Sequence, residues 1–266
     1  MHTIVPHLLR RTVKVAVIGC GGTGSAIIAG LPHLHQAMVA SGHPSGLAVT
    51  VFDSDRISPA NCVRQPFSES EIGLFKAVVL INRLNLFWGL DWEAEPHHVS
   101  NAQGIANDID LVIGCVDTRK ARATIHQALT SAWCGTPYWL DVGNNADSGQ
   151  FVLGQPLNSE NRRKAPRLRT VSELFGEIID PALDDDAQPS CSAAEALERQ
   201  HPFINQALAQ HALALLSRLF RSESLSYHGG FVNLATGSVV PLRADPVVWK
   251  RLRKRARASQ PGSALA

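Results

Sequence analysis

The run Lys14-Val-Ala-Val-Ile-Gly-Cys-Gly-Gly-Thr-Gly-Ser25 constrains this chain more than any other. A short apolar stretch rich in β-branched residues passes through closely spaced glycines into a second apolar stretch of helical period. The pattern predicts a strand over Val13 to Ile18, a tight turn, and a helix beginning near Thr23 and reaching about Ala40, with Ala26, Ile27, Ile28, Ala29 and Leu31 on its apolar face. Gly19, Gly21 and Gly24 stand at G-x-G-x-x-G spacing, with Gly22 beside them. Glycine at these positions lets the backbone turn sharply and approach a polyphosphate without a Cβ in the way. The helix that follows aims unpaired N–H groups, and the positive end of its dipole, at the phosphates. The same spacing also serves tight strand-to-helix packing with no ligand, so the nucleotide reading needs support from elsewhere in the chain.

That support begins with Leu47 to Phe52, a second strand after the Ser41 to Gly46 loop, ending at Asp53. An acidic residue there, in a β-α-β unit opened by a glycine loop, is placed to accept hydrogen bonds from ribose hydroxyls. Asp53 lies 29 residues after Gly24, where dinucleotide folds use roughly 20, which predicts a longer first helix or loop. The next segment collects Asp53, Asp55, Asn61, Arg64 and Gln65, and Lys76 follows on a predicted helix. Arg64 as a planar fork and Lys76 as a point charge suit phosphate oxygens; for either alone, a solvated loop and an amphipathic helix would explain it.

Asp110 to Cys115 reads as another apolar strand, with Val116 to Arg122 opening the helix after it. Asp117, at the carboxyl end of that strand, suits a Mg²⁺ ion or a helix N-cap. Pro137 to Asp141 reads as the last parallel strand and Phe151 to Gly154 as a partner to it. Residues 156–190, rich in Asn, Arg, Lys and Pro and carrying Asp184-Asp-Asp186, predict a mobile crossing loop with a short helix around Val171 to Ile179. A helical pattern follows from Ala193 to Phe220, with a break at Pro202, and then two short strands between Tyr227 and Leu242. Trp249-Lys-Arg-Leu-Arg-Lys-Arg-Ala-Arg257 is a basic helix or tail, read as a solvated end, with nucleic acid as the alternative partner. The division predicted is one domain over 1–245, with a nucleotide-binding half at about 12–145, the crossing loop at 156–190 and a helix and hairpin at 191–243, followed by a basic tail over 246–266. Residues 1–12 read as a lead-in with His2, His7, Arg10 and Arg11 in solvent.

Composition narrows the classes. A hydrophobic content of 45% with 18% charged residues fits a globular chain and excludes disorder. A net charge of +2 is too small for a nucleic-acid binder across the whole surface. No run is long enough to span a bilayer and the N-terminus lacks a signal-like core, so a cytoplasmic protein is expected. The five cysteines form no C-x-x-C pair, which predicts reduced thiols and no zinc site.

Taken together, Gly19-Cys-Gly-Gly-Thr-Gly24, Asp53-Ser-Asp55, Asn61-Cys-Val-Arg-Gln65 and Gly73-Leu-Phe-Lys-Ala77 resemble, in the same order, the motifs of the E1-like adenylating family, the ThiF, MoeB and HesA type. Pro189-Ser-Cys-Ser-Ala-Ala-Glu-Ala-Leu197 is most similar to the ThiF-related proteins of the ParB-related, ThiF-related cassette. The resemblance implies an α/β fold, a Rossmann-like, mostly parallel sheet flanked by helices and extended by antiparallel strands. It implies ATP and Mg²⁺ as cofactors, a small ubiquitin-like protein or a peptide with a free C-terminus as partner, and a homodimer. It further implies that Gly19, Gly21, Gly22, Gly24 and Asp55 help bind the nucleotide, and that Asp53 holds ribose. Asn61, Gln65, Arg64 and Lys76 would handle the phosphates, with Mg²⁺ on Asp117; Arg122 matches the arginine that follows this Asp in the family. Cys191, where some members carry a thiol that takes over the activated partner, is either that nucleophile or a small buried hydrophobe. Two elements of bacterial relatives lack counterparts: the paired C-x-x-C zinc ligands, and an N-terminal helix whose arginine reaches the partner subunit. An NAD(P)-dependent oxidoreductase would use the same glycine loop but leaves Asn61, Arg64, Gln65 and Lys76 unexplained. A nucleotide-binding scaffold without turnover would keep the pocket and dispense with those two elements.

Overall fold

A computed structural model describes residues 1–63, 65–99, 108–164, 166–184 and 200–258. In chain order the elements are β1 (His2–Thr3), β2 (Val13–Ile18), α1 (Gly22–Ala40), β3 (Leu47–Phe52), α2 (Lys76–Trp88), β4 (Glu93–Glu95), β5 (Leu111–Gly114), α3 (Arg119–Thr130), β6 (Tyr138–Asn144), β7 (Ser148–Gly154), α4 (Val171–Leu174), α5 (Ile204–Ser222), β8 (Ser224–Leu225), β9 (Tyr227–Asn233), β10 (Ser238–Arg243) and α6 (Pro246–Ala258). The main sheet has the order β10-β9-β7-β6-β5-β2-β3-β4. The five strands from β6 to β4 run parallel, and β7, β9 and β10 extend the sheet antiparallel. Among the described residues no helix is long and apolar enough to cross a membrane.

β2 lies at the centre because its residues can be buried on both faces: Val13, Val15, Ala16, Val17 and Ile18 are all buried and Lys14 alone reaches solvent. This is what a strand between helical layers requires. From β2 the chain passes through α1 to β3 on one side, and later returns to β5 on the other. The crevice between those two crossings is the switch point of the sheet. The 19 residues of α1 take up the long spacing between Gly24 and Asp53.

Three expectations are corrected. In the lead-in His7, Arg10 and Arg11 are exposed, as expected, and His2 is the exception, because its side chain has a partner far along the chain. His2 is buried, with Nε2 at 2.7 Å from the Tyr138 hydroxyl. Arg11 places two N–H groups on the buried Asp110 carboxylate, at 2.8 and 2.6 Å. The described part of the crossing segment is packed. Asn158 and Asn161 are buried and donate to the Thr136 and Pro137 carbonyls at 2.8 and 3.0 Å, satisfying the backbone just before β6. Asp184 accepts the Arg119 and Lys120 backbone N–H groups at 2.7 and 2.9 Å, capping α3. The basic tail also starts docked: Trp249 is buried and donates from Nε1 to His228 Nε2 at 2.8 Å. Residues 185–199 lie outside the described residues, so the helix expected from Ala193 is seen from Ile204 onward.

Burial holds His228 down to about 4, and His2 likewise to about 4. His228 donates from Nδ1 to the Leu153 carbonyl at 2.6 Å while Nε2 accepts from Trp249, which defines the neutral form. A histidine whose folded value lies below its unfolded value near 6.5 contributes stability that is lost as pH falls from about 6.5 towards 4. Each shift corresponds to about 3 kcal/mol at the low end of that window. Thermal melting between pH 7.5 and 4 should show this loss. A His228→Asn variant should be less stable at pH 7.5 yet lose less on acidification, and an equal loss would remove His228 from the effect.

Candidate functional site

The carboxyl ends of β2, β3 and β5 lie side by side in the sheet, and the sequence motifs follow directly from them. Gly19 turns the chain after β2 with φ +98°, and a Cβ on it would sit 2.6 Å from the Cys115 carbonyl oxygen. On Gly24 a Cβ would stand 1.9 Å from the Gly19 oxygen, and on Gly22 it would be 2.2 Å from Asn205 Nδ2. Packing against backbone therefore requires glycine at Gly19 and Gly24, while a side chain at Gly22 would have to displace the Asn205 amide. Gly21 is different: a Cβ there would meet nothing within 4 Å among the described residues. It is also the N-cap of α1, with no side chain capping the helix. The neighbouring helix α3 has its first N–H groups filled by Thr118 and Asp184. Of these two helix starts at the switch point, α1 is the one with open N–H groups and open space.

Beside this cradle, Asp53 receives the backbone N–H of Cys20 on one oxygen and that of Asp55 on the other, the latter at 2.7 Å. Burial pushes its carboxyl up, against those two N–H groups. Each oxygen keeps a lone pair for a hydroxyl donor. Lys76 starts α2 with its ammonium 2.9 Å from Asp55 Oδ2. The Lys76 side chain is 7% exposed, whereas that of Asp55 is 60% exposed, so the cation is sheltered and its partner faces solvent. Asn61 accepts from the Ser58 N–H at 2.9 Å and so shapes its own turn. Gln65 Oε1 is buried with no partner among the described residues. Arg64 and Cys191 lie outside the described residues.

Asp117 follows β5 and is exposed, with no hydrogen-bond partner among the described residues. The N-cap of α3 is Thr118, whose Oγ1 accepts from the Ala121 N–H at 3.1 Å, so the capping alternative for Asp117 falls. An exposed carboxylate at a strand's carboxyl end fits a hard cation. Arg122, one turn into α3, is buried and donates from Nη2 to the Val116 carbonyl at 2.9 Å and from Nε to Asp141 at 2.8 Å. It therefore holds the backbone next to Asp117. Asp141, Asn144 and Asn205 join the crevice without belonging to any of its sequence motifs. Thr23 Oγ1 lies 2.9 Å from both Asn144 Oδ1 and Asn205 Oδ1, which ties the start of α1 to β6 and α5. Asp141 carried a visible signal, a charge ending an apolar strand; Asn205 carried none. Burial pushes the Cys20 and Cys115 thiols up, leaving both protonated and inert.

Removing one partner of a buried pair leaves an uncompensated charge. Arg122→Met should cost about 3 to 5 kcal/mol in urea-induced unfolding, and Arg122→Met with Asp141→Leu markedly less. A double variant as unstable as the single would show that packing, not charge, is what Arg122 supplies.

No curated protein matches the chain in sequence. Among solved structures, Escherichia coli MccB with ATP has a TM-score of 0.58 at 16% identity, over 90% of this chain and 66% of that one. MccB with N-formylated MccA gives 0.55 at 17%, over 88% and 66%. PaaA gives 0.57 at 12%, over 87% and 64%. The chain thus spans just under two thirds of the length of these proteins, and at such identities the likeness is one of fold. The ThiF family matches residues 8–239, from the end of the lead-in to the last strand of the sheet. Over that span, which includes every described element of the crevice, the chain belongs to the ThiF family.

Proposed function

We propose that the chain uses ATP to adenylate the C-terminal carboxylate of a peptide or a small ubiquitin-like protein, releasing pyrophosphate. The observation that carries this reading is the sheltered Lys76 ammonium standing with the open Gly21 cradle at the strand ends. MccB, of the same fold, is known with ATP and with the peptide MccA. In the reaction a carboxylate oxygen attacks the α-phosphorus and the β,γ-pyrophosphate leaves with the bond electrons. Two anions must meet, so the protein's task is positioning and charge neutralisation. The backbone N–H groups around Gly21 and Gly22 receive phosphate oxygens, Asp53 accepts ribose hydroxyls, and Lys76 and Arg64 neutralise the phosphates. Asn61 and Gln65 orient them; the unpartnered Gln65 oxygen suits a donor brought by Arg64 or by the substrate. Mg²⁺ held by Asp117 would supply further positive charge, and Arg122 keeps that loop in place. Cys191 is the acceptor if the activated acyl group moves to the protein, the thiolate displacing AMP.

Calorimetry with ATP and Mg²⁺, beside NAD and NADP, tests the pocket. Wild type should bind ATP selectively. Gly21→Ala, whose new methyl meets no described atom, should melt like wild type and bind ATP at least tenfold more weakly, about 1.4 kcal/mol. Selective NAD binding would replace this reading with an oxidoreductase, and unaltered ATP binding in Gly21→Ala would move the phosphates elsewhere.

Turnover is read by pyrophosphate exchange with a panel of C-terminal peptides and ubiquitin-like proteins. Asp117→Asn should melt like wild type and lose about a hundredfold in exchange, roughly 3 kcal/mol. Cys191→Ser should keep exchange and lose any thioester. ATP binding without exchange across the panel would favour a scaffold.

A further inference from the structure

Eleven of the chain's 25 Lys and Arg residues fall in two short stretches, 162–169 and 250–257, which contain no Asp or Glu. The remaining 14 stand against 23 acidic residues, so the rest of the molecule is strongly acidic. The fold brings these two stretches together. The crossing segment and α6 line a groove of about 790 Å³, with Arg162, Lys164, Arg167 and Arg169 on one wall and Lys250 and Arg253 on the other. Within the groove, Glu173 takes up Arg167 and Arg169, and Glu160 takes up Lys164. Arg162, Lys250 and Arg253 are exposed, with no acidic partner among the described residues.

We infer that this groove binds nucleic acid through its phosphodiester backbone. Charge density favours that occupant. In sequence the stretch Lys250 to Arg257 carries six cations in eight residues, and Lys250 and Arg253 of it line the groove. Duplex DNA carries one charge per about 1.7 Å, whereas an extended acidic peptide carries at most one per roughly 3.3 Å. A bilayer is the poorer fit, since Val248, Trp249 and Leu252 of α6 pack against the protein core and, among its described side chains, Val247 is the one large apolar group left exposed. The anchor of Trp249 on His228 fixes the helix wall relative to the sheet. None of the groove residues belongs to the proposed ATP pocket, so this site stands or falls separately from adenylation. Phosphate contacts carry no base information, so binding is independent of sequence and strongly dependent on salt.

The test is fluorescence anisotropy of labelled 20-mer single-stranded and duplex DNA titrated with the full chain from 50 to 300 mM salt. Wild type should bind with a Kd of about 10⁻⁶ to 10⁻⁴ M at physiological salt, with log K falling against log salt at a slope of about −3 or steeper. The Arg162→Glu, Lys250→Glu, Arg253→Glu triple variant should bind at least tenfold more weakly, with the slope shallower by about 3. The corresponding Gln variant, which keeps the side chains polar, should move in the same direction by less. Arg221→Glu, an exposed cation outside the groove, should change nothing. Absence of wild-type binding at 50 mM salt, or wild-type binding by the triple variant, overturns the assignment. So does stronger competition from polyglutamate or from phosphatidylserine vesicles than from DNA.

Discussion

Helix α1 begins where the Gly19 carbonyl meets the Gly24 α-carbon with no side chain between them, a gap in which a Cβ would stand 1.9 Å from oxygen. That contact sets how closely α1 approaches β2, and the approach is inherited along the chain. On the far side of α1, Gly30 faces Leu213 of α5, whose terminal methyl would have to turn away to admit a Cβ there. Thr23, Asn144 and Asn205 then join the loop to β6 and α5. A side chain at Gly24 would therefore push on two helices and a strand, and close packing offers little slack to absorb it.

The part of the fold legible in the sequence is the part whose signals are local. β2, α1 and β3 follow from apolar period and from the glycines, and their observed bounds differ little from those expected. What the sequence hid is long-range pairing of polar groups. His2 with Tyr138, Arg11 with Asp110, and Asp184 with the start of α3 join residues far apart, and no local pattern marks them. Residues 156–184 looked like a loose loop because Asn and Arg favour loops; here the same residues satisfy buried carbonyls and Glu173. Asp117 and Thr118 are both good capping residues, and only the backbone direction selects the second. Asp53, Asp55, Asn61, Gln65 and Lys76 can be grouped from the sequence because they follow strand ends in order, and Arg122 by its resemblance, whereas the pairing of Arg122 with Asp141, 19 positions away, carries no local signal.

Charge is distributed with a pattern. In the crevice each described cation is held by a carboxylate or a carbonyl: Lys76 by Asp55, Arg122 by Asp141 and Val116, and Arg56 by the Gly73 carbonyl with its guanidinium 3.9 Å from the Phe75 ring centre. Such pairing fixes the cations in advance of any ligand, so little reorganisation is left for the moment of binding. By contrast, in the groove between the crossing segment and α6, Arg162, Lys250 and Arg253 have no acidic partner among the described residues. The two regions thus offer preset and adaptable positive charge within one chain.

The β1 strand pairs with β8, His2 opposite Leu225 and Thr3 opposite Ser224. During synthesis β1 must wait for a partner more than two hundred residues later, roughly 10 to 45 s at ordinary elongation rates. Until then Ile4, Val5 and Leu8, all buried in the finished fold, have no complete surface to cover them. Closure of this small sheet is consequently a late event in the life of each chain, and the interval before it is when the nascent protein is open to chaperones and to wrong pairings.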